Sequence, residues 1–357
     1  MSEPADDGYR PLRVSAVEKL TSDAVAVTFD VPPELAGDYA FRAGQHLTLR
    51  RVVDGQDVRR TYSVCASAAS GPLRVAVKRM EGGAFSSWAV AEMQAGDVLD
   101  VAPPAGRFGP AVKAGRALRY GLIAAGSGIT PVLSIAATVL EIEAGSEVVL
   151  LYGNRTTRDV MFLDELADLK DRYPGRLQVL HVLSREEQES PLLSGRLDGE
   201  RLAQLLTAFV PLEDIDAWYC CGPFGVVTAA RDTLLGLGVA PGEVHVELFH
   251  AEAPPPRPPR AEGAGEDRAS VTAVLHGRAS ELSVDRDEVL LDAMLAVRSD
   301  APYACRGGVC GTCRARVTSG EVEMAVNWAL EPDELAAGVV LTCQSRPVTD
   351  RVAIEFV

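Results

Sequence analysis

Residues 10 to 102 alternate apolar and polar positions in short runs: Leu12 to Val17, Ala24 to Val31, His46 to Arg51, Thr61 to Cys65 and Leu73 to Arg79. Turn signals punctuate them, among them Asp54-Gly55 and Ser70 to Pro72. Period-two alternation in pieces this short predicts a small antiparallel β-barrel. From Tyr120 the texture changes. Apolar runs GLIAAG, VVLLYGN, LQVLHVLS and AWYCCGP alternate with helical stretches at Pro131 to Glu143, Phe162 to Arg172, Gly199 to Ala208 and Phe224 to Leu237. That βαβα order predicts an α/β doubly wound parallel sheet. Residues 251 to 268, AEAPPPRPPRAEGAGEDR, hold almost nothing to bury and read as a linker, semi-rigid in its proline half and flexible in its glycine half. A hairpin-like pair follows (Val271 to Leu275, Ala279 to Val284), then a helix from about Val289 to Arg298, a cysteine loop, and short strands ending at Val357. The chain therefore divides into domains at 8–112, 113–250 and 269–357, with the linker at 251–268, in keeping with a length of 357 residues that exceeds one typical core.

Charge and cysteine usage narrow the classes. A net charge of −15 lacks the basic face that nucleic acid requires. The amino terminus, MSEPADDGYR, is acidic and has no apolar core of a signal segment, and no run approaches the ~18 apolar residues of a membrane span. A soluble cytoplasmic protein is expected. Seven cysteines, three of them (Cys65, Cys220, Cys221) outside the loop motif, form no even disulfide framework and suit a reducing compartment. The acidic carboxyl-terminal segment can steer docking onto a basic partner, or can serve solubility alone.

The strongest chemical signal is CRGGVCGTC, carrying Cys305, Cys310 and Cys313 and completed by Cys343 in LTCQS. C-x4-C-x2-C with a distant fourth cysteine is the plant-type ferredoxin pattern for a 2Fe-2S cluster. Gly307, Gly308 and Gly311 suit a loop wrapped closely round an inorganic core. Zinc ribbons pair two short CxxC knuckles instead.

Upstream motifs are individually weaker. Arg60-Thr61-Tyr62-Ser63 offers a flavin an aromatic face, a hydroxyl near its hydride-accepting nitrogen and a cation for its phosphate, with Arg60 and Tyr62 sharing one strand face and Arg59 as an alternative cation. Glu81 to Ser86, with Gly82 and Gly83, leads into the helical-looking SSWAVAEM, so Gly83 and Ser86 form either a pyrophosphate site or a plain capped turn. Gly126-Ser127-Gly128-Ile129-Thr130-Pro131 follows an apolar strand and opens a helix, with Thr130 expected as N-cap and Pro131 at the first helical position. Arg155 in YGNRT, Ser184 and Arg185 stand at the ends of two further strands and suit the 2′-phosphate that separates NADPH from NADH. Cys221-Gly222-Pro223 ends a fourth strand and can approach a nicotinamide, while Cys220 is expected to pack in the core.

Taken in order, RTYS, the glycine-serine turn, GSGITP, YGNR, CGP, the pair Glu247 and Phe249, and the four cysteines resemble the ferredoxin-NADP reductase superfamily with a carboxyl-terminal ferredoxin. Within it the sequence is similar to the reductase subunits of phenylacetyl-CoA epoxidases over nearly its whole length, in AVKRMEGGAFS (with Lys78), IAAGSGITP, YGNRT, LADLKDRYPGRLQVL, YACRGGVCGTC and LEPDELAAG. The resemblance implies FAD on Arg60, Thr61, Tyr62, Ser63 and Lys78, with pyrophosphate near Gly82, Gly83 and Ser86. It implies NADPH, in preference to NADH, on Gly126, Gly128, Thr130, Pro131, Arg155, Ser184, Arg185, Cys221, Gly222 and Pro223, with Glu247 and Phe249 near the flavin. It also implies a β-grasp ferredoxin domain whose iron ligands are Cys305, Cys310, Cys313 and Cys343. Thr61 stands where relatives often carry cysteine, and the linker is unusually proline-rich.

A nicotinamide gives two electrons together, whereas a 2Fe-2S cluster accepts one at a time, and a flavin converts between them. The expected route is NADPH to FAD to 2Fe-2S to a di-iron oxygenase partner, with Ser63 and Cys221 as the residues at the hydride step. A reductase of a Rieske-type hydroxylase, or a redox-sensing module without enzyme activity, would share the same motifs.

Overall fold

The computed structural model describes residues 8–53, 55–249 and 268–357. The predicted linker lies, apart from Arg268, outside the described residues, as does Asp54 of the Asp54-Gly55 turn. The described chain forms two compact units, the first spanning Gly8–Phe249 and the second containing the carboxyl-terminal segment.

The first unit opens with strands β1 (Arg10–Thr21), β2 (Ala24–Asp30), β3 (His46–Val53), β4 (Gln56–Ser63) and β5 (Arg74–Lys78), then helix α1 (Ala84–Ala91) and strand β6 (Val98–Val101). They build one antiparallel six-stranded sheet in the order β4-β3-β6-β1-β2-β5. Beyond the end of β4, Val64 bridges Val75 on β5, so the two edge strands meet again. Inward positions such as Leu12, Val14, Leu47, Leu49, Val75, Val77 and Val101 are fully buried, as period-two patterning demands. The strand bearing RTYS begins at Gln56, five residues earlier than the pattern suggested, because it is the second arm of a hairpin with β3.

The parallel half alternates β7 (Arg119–Ala125), α2 (Ile129–Ile142), β8 (Glu147–Asn154), α3 (Leu163–Arg172), β9 (Leu177–Leu183), α4 (Gly199–Phe209), β10 (Ala217–Gly222), α5 (Phe224–Gly236) and β11 (Val244–Leu248). The sheet order is β11-β10-β7-β8-β9, all parallel. Alternate residues bury into two separate cores. Leu122, Ala124, Leu150 and Tyr152 face α2 and α3, whereas Ile123, Val149, Leu151, Trp218 and Cys220 face α4 and α5. A sheet covered on both faces must read as unbroken apolar runs, which is why these strands were plain in the sequence. Cys220 packs in the core as expected.

The second unit holds β12 (Arg268–Leu275), β13 (Arg278–Asp285), α6 (Leu290–Val297), β14 (Arg314–Ser319), β15 (Val322–Met324), α7 (Pro332–Ala336), β16 (Val339–Leu341), β17 (Ser345–Pro347) and β18 (Arg351–Phe356). A mixed sheet β13-β12-β18-β14-β16, with β12 parallel to β18, is joined by the β15-β17 pair. Leu290, Leu291 and Met294 of α6 close its core against Val271, Ala273, Leu341 and Ile354. Among the described residues no helix is long and apolar enough to cross a membrane.

Candidate functional site

On β4, Arg60, Thr61, Tyr62 and Ser63 face Leu49, Thr48, Leu47 and His46 across the ladder. The Tyr62 ring lies 5.6 Å from the buried ring of Phe85 on α1, and burial raises its phenol pKa. Arg60 is exposed and donates to the Arg59 carbonyl at 2.8 Å. Arg59, the alternative phosphate ligand, is buried and its guanidinium lies 2.9 Å from Asp57, so that cation is committed within the sheet. Lys78 faces Asp23 at 3.7 Å.

Gly82 takes φ +70° and Gly83 precedes the first turn of α1. The Ser86 hydroxyl accepts from the Met80 amide at 3.0 Å and donates to the Gly83 carbonyl at 3.3 Å. Ser86 thus closes the turn. The amides opening α1 have no acceptor one turn earlier within the helix, which leaves them pointed where a pyrophosphate can take them.

The glycine-rich turn after β7 is a 3-10 segment, Gly126–Gly128, with Gly126 at φ +54°. It runs directly into α2, so the capping expectation is corrected: Gly128 is the N-cap, Thr130 and Pro131 lie inside the first turn, and the Thr130 hydroxyl donates back to the Ser127 carbonyl at 3.0 Å. A continuous 3-10 to α transition needs no side-chain cap. At Gly128 a Cβ would stand 2.1 Å from the Cys221 carbonyl oxygen, so the start of α2 and the end of β10 touch backbone to backbone. The strand order turns between β7 and β10, and in open α/β sheets ligands collect outside the carboxyl ends of the strands at that point.

Three side chains converge there. The Ser63 hydroxyl donates to Glu247 at 3.2 Å, and the Cys221 thiol lies 4.0 Å from the same carboxylate oxygen. Burial raises Glu247 to about 8, against the opposing hydrogen bond from Ser63, and burial raises the Cys221 thiol well above its usual range. Gly222 and Pro223 continue from Cys221 into α5. Phe249 is half-buried and packs against the core shared with α2 and α3.

The strand ends carrying the expected 2′-phosphate residues lie side by side, since the Arg185 amide donates to the Arg155 carbonyl at 2.7 Å and the Ser184 amide to the Asn154 carbonyl at 2.9 Å. Their side chains differ. Arg155 sits 2.5 Å from Asp159 and 3.6 Å from Asp23, whereas Ser184 and Arg185 are exposed and, among the described residues, Arg185 has no ion pair.

In the second unit the four thiols influence one another's ionisation in two pairs. Cys305 is drawn down to about 5 by Cys310, whose own thiol rises, and Cys343 is drawn down by Cys313, whose thiol rises likewise. Among the described residues no three His, Cys, Asp or Glu side chains gather as the ligands of a single ion. Two thiol pairs suit two bridged irons, each of which takes two thiolates. The Gly307 amide points at Cys305 Sγ (3.3 Å) and the Thr312 amide at Cys310 Sγ (3.5 Å). Positive φ occurs at Gly308 and Gly311, and at Arg306, while Gly307 does without it.

Sequence reading missed two residues here. The Thr312 hydroxyl donates to Cys310 Sγ at 3.2 Å, and buried Gln344 donates to the Arg306 carbonyl at 2.9 Å, joining the ligand loop to the segment after Cys343. A threonine inside CxxC and an amide next to the last cysteine are the signals that were available.

The sequence matches the oxidoreductase FAD-binding domain over residues 11–109, the oxidoreductase NAD-binding domain over 122–232 and the 2Fe-2S iron-sulfur cluster binding domain over 274–348. It is 46% identical over 349 residues, 98% of each chain, to one of the subunits of the 1,2-phenylacetyl-CoA epoxidase of Escherichia coli strain K12. It is 39% identical, over 97% of this chain and 96% of the relative, to the ferredoxin reductase component of the 3-ketosteroid-9-alpha-monooxygenase of Rhodococcus rhodochrous. Among solved structures, phthalate dioxygenase reductase, described as a modular structure for electron transfer from pyridine nucleotides to 2Fe-2S, superposes with a TM-score of 0.60 at 25% identity, covering 99% of this chain and all of that one.

Proposed function

Since this chain belongs to the family of oxygenase reductase components that carry FAD-binding, NAD-binding and 2Fe-2S domains on one polypeptide, we propose that it passes electrons from NADPH to a di-iron oxygenase component of the phenylacetyl-CoA epoxidase type. FAD supplies hydride acceptance and the 2Fe-2S cluster supplies one-electron output. The carrying observation is the hydrogen bond from Ser63 of the antiparallel sheet to Glu247 of the parallel sheet, beside Cys221 at the switch point.

The residues then take the following roles. Arg60, Thr61, Tyr62 and Lys78, with the turn at Gly82, Gly83 and Ser86, hold FAD, and the meeting of Val64 with Val75 supports closure of the sheet as a barrel. Gly126, Gly128, Thr130, Pro131, Gly222 and Pro223 shape the nicotinamide side, where close backbone packing excludes water. Ser63 hydrogen-bonds the hydride-accepting edge, Glu247 keeps a proton on that hydrogen-bonded pair at neutral pH, and Phe249 flanks the same edge. Cys305, Cys310, Cys313 and Cys343 hold the cluster in a β-grasp fold. Domain limits of 8–112, 113–250 and 269–357 follow, with residues 251–268 joining them, and a cytoplasmic setting suits the unpaired thiols.

NADPH preference rests on Ser184 and Arg185, because Arg155 is neutralised by Asp159 and Asp23. Replacing Arg185→Ala should lower the NADPH-to-NADH ratio of kcat/KM by roughly tenfold or more, since a charge-assisted phosphate contact is lost. An unchanged ratio would remove the preference. The partner is tested by mixing the holoprotein with the di-iron oxygenase and phenylacetyl-CoA and measuring product per NADPH consumed. Tight coupling is expected, and better coupling to a Rieske-type hydroxylase would overturn the assignment.

A further inference from the structure

The antiparallel and parallel halves of the first unit are joined by a polar seam between β5 and the loop after β4 on one side and α2 and α3 on the other. Arg74 on β5 lies with only 12% of its side chain exposed, and one of its amino groups donates to both carboxylate oxygens of Glu165 on α3, at 2.8 and 3.0 Å. Its other amino group reaches Glu18 on β1 at 2.7 Å, and its guanidinium carbon stands 5.3 Å from the centre of the Phe162 ring. Phe162 caps α3 in the left-handed region, at φ +60°, a conformation that persists only where its surroundings over-determine it. Nearby, Ser134 of α2 donates to the Ala66 carbonyl at 2.7 Å, the Ala68 amide donates to Thr138 at 2.9 Å, and Ser67 donates to Glu141 at 2.6 Å.

Between these bridges lies a cleft of about 240 Å³ lined by Cys65, Pro72, Arg74, Leu133, Glu165 and Leu169. Apolar packing therefore does not fill the seam here, although Cys65 and Ala76 meet Leu133 and Leu169 in one apolar cluster beside it, and the polar bridges span the part left open. The loop bearing Ala66 to Ala68 begins directly after Ser63, and α2 begins at the glycine-rich turn, so both ends of the seam lead to the hydride site.

We infer that Arg74, through Glu165, is a positioning residue for hydride transfer: it fixes the spacing of Ser63 against the turn at Gly126 to Thr130. The inference rests on the reading that NADPH reduces FAD in this unit. The geometry of hydride transfer tolerates little displacement, so a shift too small to alter cofactor affinity still slows the step.

The test is anaerobic stopped-flow reduction of the flavin in the full-length holoprotein at saturating NADPH, for wild type, Arg74→Gln, Arg74→Lys, Glu165→Gln and Glu18→Gln, with FAD content and the NADP+ dissociation constant measured in parallel. Arg74→Gln and Glu165→Gln should reduce flavin about tenfold more slowly while the dissociation constant stays within about threefold of wild type. Arg74→Lys should recover part of the rate because it keeps the charge facing Glu165 but has no second amino group to hold Glu18 at the same time. Glu18→Gln should match wild type, because Glu18 lies on the same sheet as Arg74 and spans no seam. Rates within about twofold of wild type for both Arg74→Gln and Glu165→Gln overturn the inference. So does a loss that follows FAD content alone in Glu165→Gln, the shape-preserving change. A wild-type flavin that NADPH fails to bleach would instead overturn the underlying functional reading, and the two failures are told apart by that control.

Discussion

Two side chains give single-residue tests of the proposed redox site. Thr312 places a hydroxyl 3.2 Å from Cys310 Sγ, and its amide adds a second, longer contact at 3.5 Å. Hydrogen bonds to a ligating sulfur favour the more negative, reduced cluster. Thr312→Val keeps the shape and the amide but deletes the hydroxyl. One such bond is worth roughly 1 kcal/mol, so the midpoint potential should fall by about 40 mV for a one-electron couple. Redox titration followed by electron paramagnetic resonance measures it, and a potential that stays put or rises would show that the hydroxyl does not face the cluster sulfur. Glu247 gives a prediction in pH. Its folded pKa of about 8 is raised by burial from an ordinary 4.5. Between those values the folded protein holds a proton that the unfolded chain has released, so the contribution to stability is full below pH 4.5 and is lost as pH rises through 8. Glu247→Gln has no such proton. The melting temperature of wild type should therefore drop relative to the variant as pH rises from about 5 to 8 and run parallel to it above. A gap independent of pH would place the carboxylate in water.

At the scale of elements, the meeting of α2 with β10 is the most constrained contact of the nucleotide half. A methyl group at Gly128 would overlap the Cys221 carbonyl oxygen at 2.1 Å, and neither partner is a side chain that can turn aside. Gly128→Ala must push the helix start off the strand end, at an overpacking cost of about 1–3 kcal/mol. Gly126→Ala meets no neighbouring atom and carries only the penalty of φ +54°, roughly 1 kcal/mol. Gly128→Ala should thus weaken NADP+ binding, measured by calorimetry, more than Gly126→Ala does, and the reverse order would mean that conformation rather than close approach matters in the turn. The four helices and four of the five strands of this half were legible in the sequence because both faces of the sheet are buried. Strand β11 was not, since four of its five residues are only partly buried and the run carries His245 and Glu247. Strand β6 is four residues long and went unseen for lack of length. The helix start was misread because Thr130 followed by Pro131 imitates a capping pattern, while the 3-10 turn that replaces it depends on Gly126 adopting a left-handed conformation. Arg155 was recognisable as a cation at a strand end. Of its two acid partners, Asp159 lies one helical turn away in sequence, but Asp23 comes from the other sheet and no local pattern announces it.

For the whole molecule, the decisive constraint is electron number. The nucleotide side must work in pairs and the cysteine side in single steps, so the two outputs can be separated by acceptor. Ferricyanide can be reduced at the flavin alone, whereas cytochrome c, a bulky one-electron acceptor, is expected to depend on the cluster. Cys310 is the proposed ligand to change, because it receives both Thr312 contacts and its thiol is pushed up by Cys305. Serine at that position offers iron a harder oxygen that is far less readily ionised than a thiol. Cys310→Ser should lower NADPH-dependent cytochrome c reduction by at least about tenfold while ferricyanide reduction stays within about twofold of wild type, both at matched FAD content. The split is expected to hold because the first unit, Gly8–Phe249, has its own cores and needs no residue of the cysteine loop to fold. Equal loss of both activities, with flavin retained and visible absorbance showing the cluster gone, would mean that electrons do not leave the flavin ahead of the cluster, and the proposed order of carriers would have to be abandoned.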